Sequence, residues 1–189
     1  DKAVQIKETT PITLPESNDC KMVFCHPSLH GDNPIVIHSL SYLEQSTAAV
    51  LERIPVEWFS DGVVVHFNRQ HCYGFEAMFV LPLMANTVCW MIDTSNHHQK
   101  SDYLQHLSKC SAKIATINNR IIDDVLNSPH ESPVDTDLSS YKLIISLEYK
   151  INYAQLDIFR KKLIAFGLNN NAFMPCLSRY ETGFLVSSP

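Results

Sequence analysis

Apolar and polar positions leave residues 1–19 without a sustained period. Thr9-Thr10-Pro11 and Leu14-Pro15-Glu16-Ser17-Asn18-Asp19 are turn formers, so this stretch reads as a linker. From Lys21 onward the apolar residues gather into runs. Lys21-Met22-Val23-Phe24-Cys25 reads as a short strand, closed by His26-Pro27 and the Gly31-Asp32-Asn33-Pro34 turn. Ile35-Val36-Ile37 is a second, β-branched run. Ser41 with Glu44 forms a capping box, after which Leu43, Thr47, Val50 and Ile54 recur at helical spacing. Asp61-Gly62 marks a turn before the strand Val63-Val64-Val65-His66-Phe67, and Ala77–Met84 and Thr87–Ile92 read as two more strands.

Tyr103, Leu107, Cys110, Ile114, Ile117 and Ile121 step by four and three, which predicts one long helix capped by Ser101-Asp102. Asn127-Ser128-Pro129-His130-Glu131-Ser132-Pro133 is loop by composition and marks an internal boundary. Tyr141–Tyr149 reads as a strand. Tyr153, Leu156, Phe159, Leu163 and Phe166 share a helix face, with Gly167 placed for a left-handed cap. Ala172–Ser178 and Gly183–Ser187 close the chain as strands. Strand–helix–strand–strand thus occurs twice, at about 35–84 and 141–187, without a residue-level repeat. The expected class is α+β, with antiparallel or mixed sheets and helices packed on one face in split βαβ-like units. The expected division is a linker over 1–19, an α+β domain over 20–132 and a C-terminal βαββ unit over 133–189 packed on it, or one single domain.

Composition narrows the function classes. With 45% hydrophobic and 19% charged residues the chain is no disordered segment, and 189 residues suffice for a sizeable core. No run approaches the ~18 apolar residues of a membrane span, and no signal-peptide pattern opens the chain. The net charge of −5, with basic residues scattered apart from Arg160-Lys161-Lys162, argues against a nucleic-acid partner. Six cysteines (Cys20, Cys25, Cys72, Cys89, Cys110, Cys176) lie far apart without a CxxC, which predicts free thiols and a cytoplasmic setting.

Nine histidines invite catalytic readings, each weaker than its bland alternative. His97-His98, His98 with His106, and His66 with His71 lack the spacing at which zinc ligands converge. His26-Pro27-Ser28, His38-Ser39-Leu40-Ser41 and His106-Leu107-Ser108 loosely match a two-histidine phosphoesterase pattern, but His106 falls in a predicted helix where the pattern needs strands. Cys72 beside His71, or Cys25 beside His26, could pair as nucleophile and base, yet neither cysteine opens a predicted helix. Five glycines leave little material for a phosphate-cradling loop, and GxGxxG, P-loop and GxSxG motifs are absent. Asp123-Asp124 reads as a solvated acidic pair. These residues predict no catalytic group, no metal ligand and no cofactor.

Residues 34 to about 140 carry an ordered set of matches to one family. Ile35-Val36-Ile37, the Leu43–Ile54 helix, Val64-Val65-His66-Phe67-Asn68-Arg69-Gln70-His71, Glu76-Ala77-Met78-Phe79-Val80-Leu81, Val88-Cys89-Trp90-Met91-Ile92 and Ile121-Ile122-Asp123-Asp124 resemble successive elements of the C-terminal domain of ZipA, the bacterial division protein that binds FtsZ. The resemblance implies an exposed apolar sheet surface holding a partner's peptide or helix. Phe79, Leu81, Trp90 and Ile92 would supply it, within the alternation Ala77, Phe79, Leu81, Val88, Trp90, Ile92; the opposite alternation of Met78, Val80, Thr87, Cys89 and Met91 is equally apolar, so the exposed face stays open. The expected function is a non-enzymatic interaction module of a bacterial cytoplasmic complex, without membrane insertion and of open oligomeric state. Its alternatives are an adaptor or chaperone subunit of a secretion apparatus and a Cys- or His-dependent hydrolase.

Overall fold

A computed structural model describes residues 21–25, 35–66, 72–92, 103–127, 136–148, 152–179 and 183–187. The linker-like residues 1–19, the Ser101-Asp102 cap and the loop 128–133 lie outside them.

Strands β1 (Lys21–Cys25) and β2 (Ile35–Ser39) pair antiparallel as a separate two-stranded ribbon, with Val23 opposite Ile37. One face of the ribbon is pinned by aromatic contact: the Phe24 ring lies 6.0 Å from Phe75 and 6.1 Å from His38. Helix α1 (Leu40–Leu51) follows directly. Its N-cap is Ser39, whose hydroxyl accepts the Tyr42 N–H at 3.1 Å, and the expected cap at Ser41 is corrected by two residues. The cause is that Ser39 keeps the extended backbone of β2 (φ −77, ψ 152), which the cap position requires, while Ser41 is already helical.

A 3₁₀ turn over Val56–Phe59 leads through Gly62 (φ +98) into β3 (Val63–Val65). Next, the expected strand 77–84 is helix. Helix α2 (Cys72–Phe75), a π-helical turn (Glu76–Val80) and α3 (Leu81–Met84) run on without an extended residue. Ala77, Met78, Val80 and Leu81 are buried while the exposed Phe79, Leu83 and Met84 are themselves apolar, so the polar contrast that would reveal a helical period is missing.

Strand β4 (Cys89–Met91) follows. The single helix expected over 103–121 is three elements: α4 (Tyr103–Lys109), β5 (Ile114–Asn118) and α5 (Asn119–Asn127). Ile114, Ala115, Thr116 and Ile117 are all buried, as a central parallel strand covered on both faces must be, and the β-branched Ile114, Thr116 and Ile117 suit the strand. Beyond it come β6 (Leu143–Glu148), α6 (Tyr153–Ala165), β7 (Phe173–Arg179) and β8 (Gly183–Ser187). Asn152 caps α6, and Gly167 turns left-handed after it at φ +89, as the sequence predicts for that glycine.

The class is α+β with a mixed sheet of six strands in the order β4-β3-β5-β6-β7-β8. All neighbours are parallel except β7 and β8. On one face Val64, Ala115, Ile117, Ile144 and Phe173 pack against α4, α5 and α6 through Leu107, Ile122, Phe159 and Leu163. On the other, Val63, Val65, Ile114, Ile145 and Cys176 meet Val50 of α1, Phe59, Met78 and Leu81. Among the described residues, no helix is long and apolar enough to cross a membrane.

Candidate functional site

The sheet order singles out one position. The chain leaves β3 for β4 on one side, then returns past β3 to place β5 on its other side, and from β5 it continues away to β6. The connections from the carboxyl ends of β3 and β5 therefore run in opposite directions, which opens a crevice at the point of reversal, the usual ligand position in parallel sheets.

Polar side chains collect there. Val65 pairs with Thr116 as the last step of the β3–β5 ladder, and His66 and Asn118 follow on the two strands. His66 shares the face of Val64 two residues back and is only 5% exposed. Its imidazole stands edge to face with the Tyr103 ring, centroids 5.5 Å apart at 87°. The Tyr103 hydroxyl donates to the Thr116 carbonyl at 3.0 Å, and the Thr116 hydroxyl donates across to the Val64 carbonyl at 3.5 Å. Burial, with smaller contributions from Tyr141 and Cys110, holds the Tyr103 phenol well above the usual tyrosine range, so it stays a neutral donor. Asn118 accepts the Ile121 N–H at 3.1 Å and closes the first turn of α5, from which Arg120 projects into solvent. The carboxyl edge thus holds a buried pair of His66 and Tyr103, with Arg120 exposed in the first turn of α5 at that helix's positive end. It can present hydrogen-bond donors to a polar or anionic group.

Earlier candidates fall elsewhere. Phe79 is 40% exposed on the π-helical turn, its ring 5.1 Å from Phe75. Leu81 is 1% exposed in the core beneath α1. Trp90 is 46% exposed on the edge strand, its indole N–H donating to the Asp61 carbonyl at 3.4 Å, and Ile92 packs on the opposite core. Of these four, Ile92 stands at the carboxyl edge of the sheet, its N–H donating to the Val65 carbonyl at 3.1 Å. His38 stacks on Tyr42 at 5.0 Å, and His106 lies within α4. His26, His71, His97 and His98 lie outside the described residues. The thiols of Cys89 and Cys176 are pushed by burial up to about 11 and about 12, and that of Cys110 is raised by the same cause, which leaves all three protonated near neutrality. Within Thr116, Tyr103, Asn118 and His66, only His66 was a candidate, and as a zinc ligand. The readable signal was a polar residue directly ending a strand of three valines.

No protein-family model and no curated protein sequence matches the chain. Solved structures do. A fatty acyl-adenylate ligase from L. pneumophila, in complex with acyl adenylate and pyrophosphate, superposes with a TM-score of 0.73 at 19% identity, over 88% of this chain and 30% of its own. McyG A-PCP complexed with phenylalanyl-adenylate gives 0.71 at 16% identity over 94% and 28%. The adenylation domain of a keto acid-selecting NRPS module bound to keto acyl adenylate gives 0.66 at 15%, over 82% and 28%. The chain spans about a third or less of the length of these structures and shares the fold of that part. Two expectations are corrected by these matches. The neighbours are adenylate-forming enzymes, so the likeness to the ZipA domain falls, and with it the reading as a non-enzymatic adaptor of division or secretion.

Proposed function

We propose that this chain is one unit of an adenylate-forming ligase and that the carboxyl edge of its parallel sheet, at the reversal between β3 and β5, takes part in binding an acyl adenylate. The observation that carries the reading is the superposition over 88% of the chain on a ligase holding acyl adenylate and pyrophosphate. The His66 imidazole and the exposed Arg120 at the same sheet edge support it, since an acyl phosphate anhydride offers acceptor oxygens to those donors. A reducing cytoplasm fits the same reading, because Cys89, Cys110 and Cys176 are free thiols. The test is calorimetric titration of the 189-residue chain with dodecanoyl-sulfamoyl adenosine, a stable acyl-adenylate mimic, with AMP and dodecanoate as its separate halves. Saturable binding of the mimic, tighter than either half, is expected. The absence of saturable heat up to about 1 mM, weaker than about −4 kcal/mol, refutes the proposal.

A further inference from the structure

We infer that His66 is the residue that presents a hydrogen-bond donor to the ligand in this crevice and that Tyr103 is its positioning residue. The inference rests on the acyl-adenylate reading above and assigns a role within it. Three observations carry it. First, His66 occupies the carboxyl end of β3 at the place, among the described strands, where parallel neighbours send their connections apart. Second, it is a polar ring set among apolar ones, following three fully buried valines, where packing alone would favour another aliphatic residue. Third, its orientation is fixed from β5. Tyr103 is anchored through its hydroxyl to the Thr116 carbonyl at 3.0 Å, and its ring meets the imidazole edge to face at 5.5 Å. A side chain held this way by a neighbour that is itself hydrogen-bonded to the adjacent strand has the preorganisation that a binding group needs. Its partner on the ligand is an acceptor oxygen of the acyl phosphate, which an imidazole N–H can serve.

The experiment follows the ring nitrogens of His66 by ¹⁵N NMR in the 189-residue chain during titration with dodecanoyl-sulfamoyl adenosine, alongside calorimetry of three variants. The His66 resonances should move on saturation. His66→Phe should weaken binding about tenfold, the net worth of one hydrogen bond, while His66→Gln, which keeps a donor, should stay within about threefold of the wild type. Tyr103→Phe should shift the His66 ring resonances in the ligand-free protein and weaken binding by less than His66→Phe. Binding by the wild type with unmoved His66 resonances, and by His66→Phe at wild-type affinity, overturns this inference and leaves the acyl-adenylate reading intact. Failure of the wild type to bind overturns that reading, and the role of His66 goes with it. If His66→Phe does not fold, the wild-type resonances decide alone.

Discussion

Gly62→Ala is predicted to destabilise the protein by about 2 kcal/mol through three effects that can be separated. Gly62 turns into β3 at φ +98, where an L side chain costs about 1–2 kcal/mol. A Cβ at that position would stand 2.8 Å from the Val88 carbonyl oxygen and 2.8 Å from Trp90 Nε1, both below any ordinary contact. The indole can swing away cheaply because Trp90 is half exposed, but the Val88 carbonyl cannot. It accepts the Val63 N–H at 2.9 Å and so begins the β3–β4 pairing. Stretching that bond adds about 1 kcal/mol. Against this, alanine restricts the unfolded chain and returns about 0.4–1 kcal/mol. Urea unfolding followed by tryptophan fluorescence measures the sum, since Trp58 and Trp90 flank the turn. Repeating the substitution in a Trp90→Ala background isolates the side-chain part, and the coupling should stay below about 1 kcal/mol if backbone effects dominate. A Gly62→Ala protein within about 0.5 kcal/mol of the wild type would refute the argument, because neither the left-handed turn nor the Val88 contact could then be real.

Two further outcomes follow from the geometry. Ser39→Ala should cost about 1 kcal/mol by freeing the first turn of α1, whereas Ser41→Ala should be near neutral; equal effects in thermal melts would restore the cap to the wrong serine. At pH 8 the folded protein should alkylate with iodoacetamide at Cys89 and Cys176 at least about a hundredfold more slowly than in urea, because burial holds their thiols at about 11 and about 12 against an unfolded value near 8.5. These raised values mean that the folded state keeps protons the unfolded state releases, so their contribution is complete below about pH 8.5 and is lost as pH climbs towards 11. Stability rising over that range, or rapid labelling located to Cys89 by mass spectrometry, would contradict the buried placement.

Elements with one solvated face were legible in the sequence. Helix α6 shows the core Leu156, Phe159 and Leu163 against exposed Asp157 and Lys161, and its left-handed glycine stands where the pattern puts it. Elements covered on both sides were not. Around the π-helical turn every residue from Ala77 to Met84 is apolar, or proline, whether it faces core or solvent, so helix and strand leave the same trace. The stretch from Tyr103 to Ile121 failed for another reason. Its four-and-three stepping continues across a real break after Lys109, because Ile114 and Ile117 are buried on opposite faces of β5 and need no period at all.

The candidate site was illegible on different grounds. Its parts are dispersed in the chain, with Val64 and Thr116 joined across 52 residues, and nothing local marks them as neighbours. What brings His66 to Tyr103 is the order β4-β3-β5, in which the chain returns past a strand it has already laid down. An ordered run of strand and helix matches contains no information about that order, which is why a likeness to the ZipA domain could be assembled element by element and still describe another fold. The missing clue lay in a different run, β3. Val63, Val64 and Val65 are apolar on both faces because helices cover both, and that is the condition for a parallel sheet rather than for a sticky surface. Once the sheet is parallel, its carboxyl edge becomes the place to look for a ligand, and a histidine ending a run of three valines becomes the residue to test.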